Sequence, residues 1–229
     1  MFKVVFRAGF AGLLVLVAPA EAAPYSDASS VRVQDFTGTV RITTGGSKVE
    51  VILEQGAKTH PVTLKVENGA LVIRGEKRSW RFNIGPEVSG IWGDRKKAFE
   101  RYLQNYPHLE ITAPAGTDFT FEQAIARIDG GDLNSHVKIG GPWVEATLGD
   151  VKSADVGIGG PGDTTLGDVA ETAQVAIGGS GDFRAGDVGR AKFTIGGSGD
   201  ITTERVGGAA TISIGGSGDV MTKGIGGGL

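Results

Sequence analysis

An isoleucine followed by two glycines recurs at Ile139, Ile158, Ile177, Ile195 and Ile214, in steps of 19, 19, 18 and 19 residues. A chain that repeats at so short a period is committed to stacking equivalent segments, because one such unit cannot bury its apolar side alone. In the last four copies an aspartate stands five residues after the isoleucine: Asp163, Asp182, Asp200 and Asp219, in GGPGD or GGSGD. Six residues later comes Val169, Val188, Val206 or Ile225, and an alanine precedes each isoleucine by four residues, at Ala154, Ala173, Ala191 and Ala210. The difference between 18 and 19 falls in one place, between the aliphatic residue and the next alanine, as VGRA (188–191) against VAETA (169–173) shows. One corner of the coil accepts an extra residue and the others do not.

Alternation within each copy assigns the faces. Ala, Val or Phe, and Ile point inward in runs such as Ala173, Val175, Ile177 and Ala191, Phe193, Ile195, while Gln174, Lys192 and Thr211 point outward. Beyond the GGSGD corner the next inward residues are Thr164, Phe183, Ile201 and Val220, and a third corner begins near Val169, Val188, Val206 and Ile225. Three short sides per turn, with turns about 4.8 Å apart, predict an all-β, right-handed parallel β-helix (a solenoid) of 18–19-residue turns. Its sheet is expected to begin near Phe119, with RIDGGDL (127–133) as a degenerate turn and Val144 where later turns carry aspartate. The last turn shows no cap, so its exposed edge points to self-association.

Upstream the texture changes. Residues 29–75 hold five short alternating runs separated by turn signals, with Asn68-Gly69 marking a tight hairpin. Residues 76–108 are charged and carry Trp80, Trp92, Tyr102 and Tyr106; a short helix is expected over about 95–105, capped by Asp94 and stopped by Pro107. Ala98, Phe99, Tyr102, Leu103 and Tyr106 share one face of it. That face reads as packing an inserted flap onto the body; the competing reading makes the flap a contact surface, as long insertions often are. At the start, MFKVVFR, a short apolar stretch and small residues ending at Ala22 have the form of a signal peptide. The chain thus divides into a signal peptide at 1–22, an N-terminal β region at 23–75, the flap at 76–108 and the repeat array at 109–229. It is expected to be exported, to the periplasm or the cell surface, with no transmembrane segment in the mature part.

The totals exclude whole classes of function. A net charge of −3 and an aromatic content of 7% argue against a nucleic-acid partner, which requires a basic face. With no cysteine, thiolate catalysis, cysteine-ligated zinc and disulfides are all excluded.

The glycine-aspartate corners resemble calcium-binding repeats, and a calcium-binding structural repeat protein is one alternative. The aspartate, however, stands one residue early for the GGxGxD nonapeptide, and each turn offers one carboxylate there where calcium takes six to eight oxygens. The plainer reading gives the glycines a positive φ and has each aspartate hydrogen-bond its own turn. Stacked carboxylates about 5 Å apart repel by about 1 kcal/mol in water, which turn N–H groups can offset. Catalytic signals are sparse: His60, His108 and His136 are scattered, and no G-x-S-x-G elbow occurs. A carbohydrate-active enzyme, a polysaccharide lyase or hydrolase, is the other alternative, with Asp182, Arg184 and Asp187 as its carboxylate–arginine group. No catalytic, cofactor-binding or metal-binding residue is assigned.

The repeated GGSGD turns, together with VRVQDFTGTVRITTGGSKVEVIL, VENGALVIRG and HLEITAPAG upstream, resemble the bacterial head GIN-domain autotransporter adhesin family over residues 30–229. Residues 76–108 look like an insertion relative to that pattern. The resemblance implies an exported β-helix, an adhesion or surface-interaction role and no conserved catalytic residues. The expected function is therefore a non-enzymatic adhesin or cell-envelope protein without cofactor. Its partner would be a polysaccharide or protein, met through the flap aromatics Trp80, Trp92, Tyr102 and Tyr106 and the outward residues Gln174, Lys192 and Thr211.

Overall fold

The computed structural model describes residues 28–76 and 95–227; the signal-peptide segment, Trp80, Trp92 and Asp94 lie outside the described residues. Among the described residues eighteen strands form two nine-stranded sheets, accompanied by one short helix. The first sheet runs β4 (Thr63–Glu67), β5 (Ala70–Arg74), β1 (Ser30–Gln34), β7 (Asp118–Glu122), β9 (His136–Gly141), β11 (Ser153–Ile158), β13 (Val169–Ile177), β15 (Val188–Ile195), β17 (Ala210–Ile214). The second runs β3 (Glu50–Glu54), β6 (His108–Ala113), β2 (Thr37–Thr44), β8 (Ile125–Gly130), β10 (Trp143–Thr147), β12 (Thr164–Thr165), β14 (Phe183–Ala185), β16 (Ile201–Thr203), β18 (Val220–Thr222). From β6 onward each strand lies in the sheet opposite to the one before it.

The expected right-handed parallel β-helix, a solenoid of three-sided turns behind a separate N-terminal β region, is not the fold. Both sheets are mixed: β4 pairs antiparallel with β5, and β3 pairs antiparallel with β6. The expected third side reduces to single bridges, Val151 to Val169, Val188 to Val206 and Val206 to Ile225, too short to make a sheet. Nor does sheet formation begin near Phe119. Strand β1 lies between β5 and β7, and β2 between β6 and β8, so the N-terminal strands belong to the same two sheets. Among the described residues the architecture is all-β, two large mixed sheets with one short helix.

Alternation explains the burial. Inward-facing Val33, Ile73, Phe121, Ala173, Phe183 and Ile195 are all sealed in one continuous apolar cluster between the sheets. The repeat alanines stand in register across β11, β13, β15 and β17. The extra residue of VAETA is absorbed where β13 and β15 lose register, between Val169 and Thr172, as a local irregularity. Asn68 and Gly69 both have positive φ (51° and 76°), as a two-residue hairpin between β4 and β5 requires.

Helix α1 (Arg95–Leu103) packs on the second sheet from outside. Its Ala98, Phe99 and Leu103 are buried, as is Tyr106 just beyond it. Phe99 stacks on Trp143 of β10 with ring centroids 4.5 Å apart and planes 5° from parallel.

Candidate functional site

The corners of the repeat carry two ladders of aspartates. In one, Asp132 Oδ1 accepts the N–H of Asp150 (3.0 Å), Asp150 Oδ1 that of Asp168 (2.8 Å) and Asp168 Oδ1 that of Asp187 (2.8 Å). In the other, Asp163, Asp182 and Asp200 accept the N–H groups of Asp182, Asp200 and Asp219 at 2.8–2.9 Å. The expectation that each aspartate bonds its own turn is thus corrected: each carboxylate reaches the turn that follows. Charge-assisted bonds of this kind are stronger than neutral ones, which offsets the repulsion between neighbouring carboxylates. The first ladder extends back to Asp132 and Asp150, in turns that look irregular by sequence.

The corner glycines are likewise explained by stacking rather than by φ. Positive φ occurs at Gly38, Gly46, Gly69 and Gly116, and at none of the GGSGD glycines. Instead, a Cβ on Gly199 would lie 2.0 Å from the carbonyl oxygen of Gly181, and one on Gly186 2.1 Å from Asp168 Oδ1. Only a residue without a side chain lets successive corners approach so closely.

With corners locked, the outer face of the first sheet is a fixed array. Thr120, Lys138, Asp155, Gln174, Lys192 and Thr211 stand side by side on consecutive strands β7, β9, β11, β13, β15 and β17. From Lys138 to Thr211 all are exposed. The structure therefore brings Gln174, Lys192 and Thr211 together, and adds Lys138 and Asp155, whose place in the repeat period was the available signal for them. An open groove of about 350 Å³ crosses the start of this row, lined by Asp118, His136, Lys138, Ser153, Asp155 and Gln174. Gln174 Nε2 donates to Asp155 Oδ1 at 3.5 Å.

That groove holds an aspartate, a histidine and a serine on adjacent strands, but not in the roles of a triad. His136 Nδ1 and Ser153 Oγ lie 2.5 Å apart, while Asp118 Oδ1 accepts the backbone N–H of His136 rather than a ring proton. The other histidines are elsewhere: His60 stacks on Tyr106, and His108 Nδ1 meets Thr39 Oγ1. In the Asp182, Arg184, Asp187 group, Arg184 pairs with Asp182 at 2.9 Å, and both aspartates belong to the ladders, Asp182 as donor and acceptor and Asp187 as the donor that ends the first. Among the described residues no cluster of three or more potential metal ligands occurs.

Of the four flap aromatics the described residues include Tyr102 and Tyr106, on and just beyond the helix that packs on the second sheet. Tyr106 is buried between His60 and Tyr102 (centroids 4.6 and 4.9 Å away), so its ring packs the flap instead of facing solvent. Beneath the helix, Arg127 on β8 bonds Glu100 (2.5 Å) and Asp129 (3.0 Å). Burial opposes the Arg127 charge, but Asp129 and Glu100 outweigh it and raise its pKa. Burial pushes the Glu145 carboxyl up from the ordinary 4.5; Asp163 and Glu100 add to the rise, against Lys96 and Arg127.

No helix among the described residues is long and apolar enough to cross a membrane. A family model described as "putative auto-transporter adhesin, head GIN domain" matches residues 32–226. No curated protein matches the chain. Similar solved structures include a "putative adhesin" from Bacteroides fragilis, 11% identical over 86% of this chain and 94% of that one, with a TM-score of 0.44. A "putative cell adhesion protein" from Clostridium sporogenes is 12% identical over 87% and 95%, with a TM-score of 0.36. A "putative lipid binding protein" from Parabacteroides distasonis is 13% identical over 86% and 93%, with a TM-score of 0.35. Because the family match runs through nearly the whole of both sheets, the chain belongs to the head GIN-domain family.

Proposed function

We propose that this protein is an exported, non-enzymatic adhesin that acts at the cell envelope and engages a polysaccharide or protein along the outer face of its first sheet. The observation that carries the reading is the row Lys138, Asp155, Gln174, Lys192, Thr211, exposed and in register across five adjacent strands. A parallel array repeats donors and acceptors at the strand spacing of about 4.8 Å, which suits an extended partner more than a compact one. Little ordering is needed on binding, because the strands and corners are already fixed.

The test is binding of the purified chain to isolated envelope polysaccharides and to intact cells. The combined variant Gln174→Ala, Lys192→Ala, Thr211→Ala is expected to weaken binding at least about tenfold, since several contacts are removed at once. Arg41→Ala, exposed on β2 in the second sheet, serves as the control and leaves binding unchanged. Equal binding by parent and triple variant would sink the proposal.

A further inference from the structure

The two ends of the stacked sheets differ. At one end the sheets finish with an added antiparallel strand each, β4 on β5 and β3 on β6. These closing strands expose Glu50, Thr63, Lys65 and Glu67, while Val51 and Leu53 beneath are already covered. At the other end, β17 and β18 have no further strand beside them among the described residues. Their apolar side chains show it. Ile195 and Ile201 are fully buried, but Ile214, the next copy of Ile195, is 47% exposed, and Val220 and Ile225 are half-covered. Ile214 and Met221 (51%) are the exposed large apolar side chains among the described residues.

We propose that this open end pairs with the same end of a second copy of the chain, about a two-fold axis, β17 antiparallel to β17 and β18 antiparallel to β18. Each copy then supplies the other with one antiparallel strand per sheet, the same device with which the chain closes its opposite end. An isologous contact of this kind requires one surface to complement itself, and this one does. Pairing β18 about Met221 sets Asp219 opposite Lys223 of the second copy on both sides, an attractive cross-strand arrangement. Pairing β17 about Ile212 sets the exposed Ile214 opposite the small Ala210. Asp219 is also where the second ladder stops: the earlier carboxylates each accept an N–H from the following turn, and no described turn follows it. A head-to-tail arrangement is disfavoured, because the β3–β4 end exposes the charged Glu50, Lys65 and Glu67 where the β17–β18 end exposes Ile214.

The chain contains no cysteine, so single cysteines report the contact directly. Met221→Cys is expected to form a disulfide-linked dimer under mild oxidation, faster at higher protein concentration, because directly opposed residues place their Cβ atoms within about 5.5 Å. Lys65→Cys, on β4 at the opposite end, is expected to stay unlinked. In sedimentation, Asp219→Lys and Lys223→Asp each weaken the dimer about tenfold by turning two attractions into repulsions, and the double variant restores it. Lys223 also pairs with Glu204 in its own chain, so the restoration is the informative result. A strict monomer at the highest soluble concentration overturns the proposal, as does linkage of Lys65→Cys as fast as Met221→Cys, or a double variant no better than the singles. A Met221→Cys thiol shielded from reagents in the monomer overturns it too, by showing that another segment of the same chain covers this end.

Discussion

Upstream of β7 the space between the sheets is filled by large side chains, Phe36 from the β1–β2 corner and Leu71, Ile73, Leu109 and Ile111 from β5 and β6, the strands on which antiparallel β4 and β3 are added. Downstream, equivalent places in successive parallel strands hold alanine, valine and isoleucine, with Phe183 and Phe193 standing in two of the copies. The corners differ in the same way. Upstream, Asp35, Gly46, Asn68 and Gly69 turn the chain with positive φ, a property of the local backbone. Downstream, the GGSGD corners keep ordinary φ and are held by the carboxylate of the preceding turn. The first kind of corner forms without its neighbours; the second exists only once two turns are stacked.

Glycine substitutions break this contrast most sharply. Gly199→Ala is expected to destabilise by more than about 3 kcal/mol or to prevent folding, because its Cβ would sit 2.0 Å from a backbone oxygen that cannot move alone. Gly69→Ala meets no atom within 4 Å and suffers only its left-handed φ of 76°, a cost of about 1–2 kcal/mol. Urea denaturation measures both; equal losses would mean that the corners do not differ in kind.

The ladders come next. Asp182→Ala strands the N–H of Asp200 and removes the Arg184 partner, for a loss of about 1.5–3 kcal/mol. Asp182→Asn keeps an acceptor oxygen and should lose clearly less. If the two variants melt together, the carboxylate oxygen is not what holds the corner.

The smallest effect tests the seam between flap and sheet. The raised pKa of Glu145 means that its charged form is disfavoured in the fold. Its contribution is therefore most favourable below the unfolded value near 4.5 and is lost as pH rises through the higher folded value. Glu145→Gln is expected to raise the melting temperature at pH 7, with the gain shrinking as the pH falls toward 4.5. A gain independent of pH would assign the effect to packing on the helix instead.

Much of the candidate face was legible from period alone. Placing Gln174, Lys192 and Thr211 on one outward row needs only the 18–19-residue spacing and the two-residue alternation of a strand, and the pairings of β13, β15 and β17 agree. Lys138 was hidden because its copy lacks the regular corner, Val144 standing where an aspartate recurs later, whereas Asp155 follows the repeat alanine Ala154 and was within reach of the same period. The stack of Phe99 on Trp143 was not readable, since the two residues are far apart in sequence and nothing local to Trp143 announces a partner.

Which side chains face inward, where the corners fall and which residues of successive turns are equivalent can be read along the chain, because these follow from a period of two within a strand and a fixed spacing between copies. The two mixed sheets, the place of β1 between β5 and β7 and the aspartate bonds across turns arise when the whole chain packs. Backbone pairing is the reason: the N–H and C=O groups of a strand are satisfied equally by any neighbour in either direction. The order of strands is therefore set by what the whole chain can bury at once, and not by any one segment of it.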